Sequence, residues 1–117
     1  MKFSGIIAAV AILMLPALGQ AAGKVDQDAL AKGKALAFDS GKGNCLACHM
    51  IADGEFPGNF GPPMIQMKER FPERAVLREQ IWDASAKNPK SMMPPFGKNG
   101  VLTDKEVDLI VDYLYTL

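Results

Sequence analysis

The chain of 117 residues has one histidine, His49, and two cysteines, Cys45 and Cys48. That scarcity excludes a good deal. A closed zinc site takes four ligands, and these residues give three with no other Cys or His to complete the set. Two cysteines can close one disulfide but cannot staple a small fold together. A thioredoxin-like pair expects a strand before it and a βαβ pattern around it, and residues 22–117 show no strand-like alternation. An excess of one charge is also missing. The 13 Lys and Arg balance the 13 Asp and Glu, so nothing points to nucleic acid. No apolar run reaches the roughly 20 residues of a membrane-spanning helix. Repeats and low-complexity tracts are absent, and the length suits one domain.

The chemistry is concentrated in one window, Cys45-Leu46-Ala47-Cys48-His49. Two cysteines separated by two residues and followed directly by histidine form the attachment signature of a c-type haem. Each thiol can form a thioether with one vinyl group. The spacing sets both sulfurs along one edge of the porphyrin and brings His49 under the ring, where its imidazole can bind the iron. Taken alone, the cysteine pair also permits a structural disulfide or a redox couple; the adjacent histidine favours haem.

The N-terminus carries Lys2, an apolar run from Ile6 to Leu18 broken by Pro16, and then Gly19-Gln20-Ala21. This pattern predicts a secretory signal peptide, residues 1–21, and delivery to the periplasm. The other reading is a retained anchor, for which 13 apolar residues are short. Cleavage would leave 96 residues, 22–117, with a formal charge of −1. Packing alone makes a domain of that size marginal, and a buried haem would give it a large apolar centre.

Three helices are expected. The first runs from an Asp26 cap to Phe38, with Ala29, Leu30, Gly33, Leu36 and Ala37 at helical spacing. Gly33 costs about 1 kcal/mol relative to alanine in mid-helix. It is either an indifferent surface position or a point where another backbone crosses. The second helix is expected over Glu73 to Ala86, with Pro72 at its start, a stripe of Leu77, Ile81 and Ala84, Trp82 at the edge, and Asn88-Pro89 ending it. The third begins at a capping box, Thr103 with Glu106, and buries Val107, Ile110, Val111 and Leu114. Between the first two lies a turn-rich loop too long to stand unsupported, which haem would support. Met64 and Met67 are expected to begin a short helical turn.

A second axial ligand must be something other than histidine. Met50, Met64, Met67, Met92 and Met93 remain after signal removal. Methionine thioether suits the position, and His/Met ligation raises the reduction potential. Met50 adjoins His49 and is held on its side of the ring. Met92 and Met93 lie in a loop far enough along the chain to wrap over the other face, and Pro94 fixes the backbone direction of Met93. Met93 is therefore preferred over Met92, with Lys98 and Asn99 behind them. The competing view is that these methionines only fill core space.

These residues resemble a class I cytochrome c. The resemblance implies an all-α fold, three main helices and loops wrapped around one covalent haem, with the terminal helices crossing at Gly33. It implies that the Pro62 carbonyl of Gly61-Pro62 orients His49, that Met64 packs on the haem, and that Met93 is the sixth ligand. The stretches Cys48-His49-Met50-Ile51-Ala52-Asp53-Gly54-Glu55-Phe56-Pro57-Gly58-Asn59, Asn88-Pro89 and Met93-Pro94-Pro95-Phe96-Gly97 resemble SoxX more closely. SoxX is the monohaem subunit of the SoxAX complex of sulfur-oxidising bacteria. The likeness runs from about Leu36 to the end; Met64 stands where many relatives carry Leu. It implies a heterodimer with a SoxA-type cytochrome, oxidative coupling of thiosulfate to a cysteine of the carrier SoxYZ at a haem on SoxA, and electron delivery through this chain to an acceptor cytochrome. The chain would then be the redox subunit of a heteromeric L-cysteine S-thiosulfotransferase, with no catalytic residue of its own. The alternatives are a free-standing electron shuttle and a peroxidase-like protein with an open iron site.

Overall fold

The structure, a computed structural model, describes residues 26–117. The expected signal peptide, residues 1–21, lies outside them. Among the described residues there are five helices and no strand: α1 (Gln27–Phe38), α2 (Met67–Arg70), α3 (Arg74–Trp82), α4 (Ala84–Lys87) and α5 (Asp104–Leu114). A single 3-10 turn, Cys45–Ala47, carries the start of the cysteine motif.

Local chemistry sets the ends of the two longest helices. The Asp26 carboxylate accepts hydrogen bonds from the backbone N–H groups of Asp28 and Ala29, starting α1. Thr103 and Glu106 form the full reciprocal capping box at the start of α5. Val107, Ile110, Val111 and Leu114 are all buried, as their spacing predicts. Removing such side chains from water contributes about 1.5–3 kcal/mol each.

The packing of α1 on α5 depends on Gly33, which is buried. A Cβ at that position would overlap the Leu109 carbonyl and come within 3.0 Å of the Tyr113 Cβ. Gly33 is thus a crossing point, not an indifferent surface residue. Beside it, the Phe38 and Tyr113 rings meet edge to face at 6.2 Å. On the other side α3 meets α5 through a charged ladder. Arg74 bonds Asp108 and Asp112, and Arg78 bonds Asp104 and Asp108. Burial pulls the Asp108 carboxyl up, but hydrogen bonds from both arginines outweigh it and hold it below its ordinary value.

Two expectations need correction. The helix expected over Glu73–Ala86 is broken at Asp83. The Trp82 carbonyl, which an unbroken helix would turn toward Ala86, instead accepts from Gly97 and Lys98 N–H. Asp83 then caps a new helix through Ser85 N–H and pairs with Lys98 at 2.8 Å. The expected turn at Met64 and Met67 begins only at Met67; Met64 lies outside any helix, and its N–H bonds the Met50 carbonyl at 2.8 Å.

The long loop after His49 also has peptide support of its own. Gly58 N–H bonds the Leu46 carbonyl, Gly61 N–H the Cys48 carbonyl, and Met67 N–H the Leu117 carbonyl. The loop therefore lies back along the cysteine motif and ties it to the C-terminus.

Candidate haem-binding site

The approach to the motif is tightly set. Gly43 donates its N–H to the Leu36 carbonyl at the end of α1. A Cβ at Gly43 would sit 3.2 Å from the Cys45 sulfur. Asn44 then takes a left-handed conformation, φ 46°, and the 3-10 turn follows. His49 N–H bonds the Cys45 carbonyl at 2.8 Å, which brings thiol and imidazole one turn apart. Burial pushes the Cys45 thiol up to about 11. A reactive redox cysteine needs the opposite shift. No group of three or more His, Cys, Asp or Glu side chains converges to hold a metal ion among the described residues, so the zinc reading finds no geometry.

His49 is buried. Its Nδ1 lies 2.7 Å from the Pro62 carbonyl. A carbonyl can only accept, so Nδ1 carries the proton and Nε2 keeps its lone pair. Nε2 makes no hydrogen bond and is not sealed off among the described residues. Gly61 closes the other side of the ring: a Cβ there would overlap the imidazole Cε1.

The methionines separate by position. Met64 and Met67 are buried in the core cluster with Ile51, Leu77, Ile81, Phe96 and the α5 stripe. Met50 is more than half exposed, and Met92 is 82% exposed. Met93 is half-buried and packs against the core. Its N–H bonds the Ser91 hydroxyl at 3.2 Å, and its sulfur lies 3.9 Å from Gln80 Nε2. Lys98 is engaged with Asp83, and Asn99 N–H bonds the Pro95 carbonyl. Gln80 is the residue that sequence reasoning missed. It sits in no motif, and only its three-residue spacing from Leu77 hinted that it borders the core.

The donor set fits a haem c. Two thiols, an imidazole with a free Nε2 and a thioether on a separate loop are the groups that such a cofactor takes, and an apolar cluster adjoins them. When bound, the group supplies a one-electron couple. To hold it, the chain would offer the Cys45 and Cys48 thiols and the imidazole that Pro62 orients, beside the core side chains.

Fold and site together define a c-type cytochrome of the class I fold. Residues 28–114 match the family model described as cytochrome C oxidase, cbb3-type, subunit III, and the chain belongs to that family. It is 36% identical over 81 residues to an uncharacterized lipoprotein of Aquifex aeolicus (strain VF5), covering 65% of this chain and 37% of that protein. The chain thus spans little more than a third of that curated relative. In structure it is similar to a chain of SoxXA from P. pantotrophus, with a TM-score of 0.66 and 27% identity, covering 74% of this chain and 79% of that one. No helix among the described residues is long and apolar enough to cross a membrane.

Proposed function

We propose that this chain is the monohaem electron-transfer subunit of a SoxAX-type complex. Cys45 and Cys48 carry the haem, and His49 and Met93 bind its iron. Pro62 orients the imidazole and Met64 packs on the ring. The complex couples thiosulfate to a carrier cysteine of SoxYZ. Joining a thiol to thiosulfate as a new S–S bond releases a proton and an electron pair. This chain takes the electrons singly and hands them to an acceptor cytochrome. With both axial positions filled from its own residues, it moves electrons and leaves bond formation to its partner. The setting is the periplasm, reached by the 1–21 signal peptide; the lipoprotein relative is consistent with export.

The likeness to SoxXA carries the reading. The surface supports a lasting partner over a transient one. Phe56 is 98% exposed and Phe60 79%, and Met50 and Ile65 are more than half exposed in the same loop. Phe56 is also held at φ 51°, a region that bulky residues avoid. Scattered exposed apolar side chains are ordinary, but four in one 16-residue stretch suit a surface that a partner covers.

The test is a pull-down of the tagged protein from periplasm with haem staining and mass spectrometry. A stoichiometric second cytochrome that survives moderate salt is expected. Replacing Phe56 and Phe60 with aspartate should release it. Recovery of the protein alone, with one covalent haem, would instead make it a free-standing shuttle.

A further inference from the structure

We propose that Phe56 is the anchor of the partner interface: its ring is held out in advance to enter an apolar pocket with a cationic rim on the SoxA-type chain. The inference deepens the partner reading above and rests on it.

Phe56 is 98% exposed, so its side chain packs on nothing in its own chain. Its backbone stands at φ 51°. A bulky side chain is disfavoured there, and Pro57 makes the conformation less favourable still, because a residue before proline is pushed toward extended backbone. Strain of that kind persists only where the surroundings impose it, and it collects at functional sites. Here a clamp on both sides imposes it. Gly54 N–H bonds the Ile51 carbonyl at 2.9 Å, and Gly58 N–H bonds the Leu46 carbonyl at 2.7 Å. A Cβ at Gly54 would overlap the Leu46 side chain, and one at Gly58 would overlap the Ala47 carbonyl. Both feet of the turn therefore rest on the two residues between the haem cysteines, and Phe56 stands between those feet.

A ring kept in water on a strained backbone stabilises nothing in the free chain. Both penalties are offset when the ring leaves water in a partner's pocket. Because the clamp fixes the loop beforehand, little conformational freedom is lost on binding. A few anchors of this kind carry most of an interface's affinity, and near-neutral contacts around them exclude water. Met50, Phe60 and Ile65, exposed in the same loop, are suited to that surround. The charge of the rim follows from the loop's own charge. Residues 50–66 hold Asp53 and Glu55 and no Lys or Arg. Asp53 pairs with Lys34 at 2.8 Å. Glu55, exposed and next to Phe56, is thus the acid that a cationic group on the partner would meet.

The experiment separates fold from interface by sign. Asparagine tolerates this backbone region far better than phenylalanine does. Phe56→Asn holoprotein should therefore unfold at a higher denaturant midpoint than wild type. It should also bind the second cytochrome recovered in the pull-down at least about thirtyfold more weakly. Phe56→Tyr keeps ring and strain, and should keep the wild-type midpoint and most of the affinity. Glu55→Gln should weaken binding at low salt and match wild type at high salt. A lower midpoint in Phe56→Asn, or its failure to mature, places the ring inside the fold and overturns the proposal. Wild-type affinity in Phe56→Asn also overturns it and leaves the partner reading standing. A Glu55→Gln salt response identical to wild type overturns the cationic rim. If the wild-type chain brings no partner, both readings fall.

Discussion

The Pro62 carbonyl accepts a hydrogen bond from His49 Nδ1 at 2.7 Å, so one backbone atom thirteen residues away sets the tautomer and direction of the only imidazole in the chain. The bond holds because the loop returns alongside the motif through Gly58 and Gly61 N–H. Gly61 is required for a second reason, since a Cβ would overlap the ring. Gly61→Ala should therefore displace the imidazole, and changes of this kind around a ligating histidine typically cost about 10–100-fold in metal affinity or activity. The checks are the yield of haem-bearing protein and its axial-ligand spectrum; an unaltered spectrum at full yield would refute the argument.

Gly33→Ala pits two effects against each other. Helix propensity alone predicts a gain of about 1 kcal/mol. The overlap with the Leu109 carbonyl predicts a loss, because backbone cannot swing aside as a flexible side chain can. Overpacking of this kind typically costs about 1–3 kcal/mol, and the loss should win. Denaturant unfolding of the holoprotein measures the sign directly.

The parts of this structure written in local chemistry were legible in the sequence. The Asp26 cap and the Thr103–Glu106 capping box need only neighbours within three residues, and both stand as read. The buried stripe of α5 followed from spacing alone. The break at Asp83 did not, because it depends on Gly97 and Lys98 reaching back to the Trp82 carbonyl. The loop after His49 looked unsupported for the same reason: its bonds run to Leu46, Cys48 and Leu117, and nothing in its own residues announces them. The arginine ladder lay between these extremes. Arg74 and Arg78, like Asp104, Asp108 and Asp112, recur at helical spacing, but the pairing of their helices is a property of the fold.

Met93 and Met92 are neighbours in sequence and differ in surroundings, which separates their expected phenotypes. Met93→Ala should open the sixth coordination position, lower the potential and let carbon monoxide bind the reduced protein rapidly. Met92, at 82% exposure, should be replaceable by alanine with no change in either property. Stopped-flow carbon monoxide binding distinguishes the two variants. Rapid binding in Met92→Ala and not in Met93→Ala would reverse the assignment.

Glu106 joins the start of α5 to the segment that leads into the cysteine motif, through Thr103 on one side and Lys42 at 2.9 Å on the other. The Thr103 backbone N–H, followed by the Lys42 ammonium, holds the Glu106 carboxyl at about 2, against an ordinary value of 4.5. The folded protein thus binds this proton less readily than the unfolded chain. Its contribution to stability is fully present above about pH 4.5 and is lost as the pH falls toward about 2. The Lys42 and Glu106 side chains are both partly exposed, so salt should weaken the Lys42 part more than the capping bond. Thermal midpoints of wild type and Glu106→Gln, measured down this pH range, should differ most near neutrality and converge in acid. Glutamine still offers an oxygen to Thr103 N–H but cannot pair with Lys42. A gap that closes with added salt at neutral pH would therefore assign the loss to the ion pair, and one that persists would assign it to the cap.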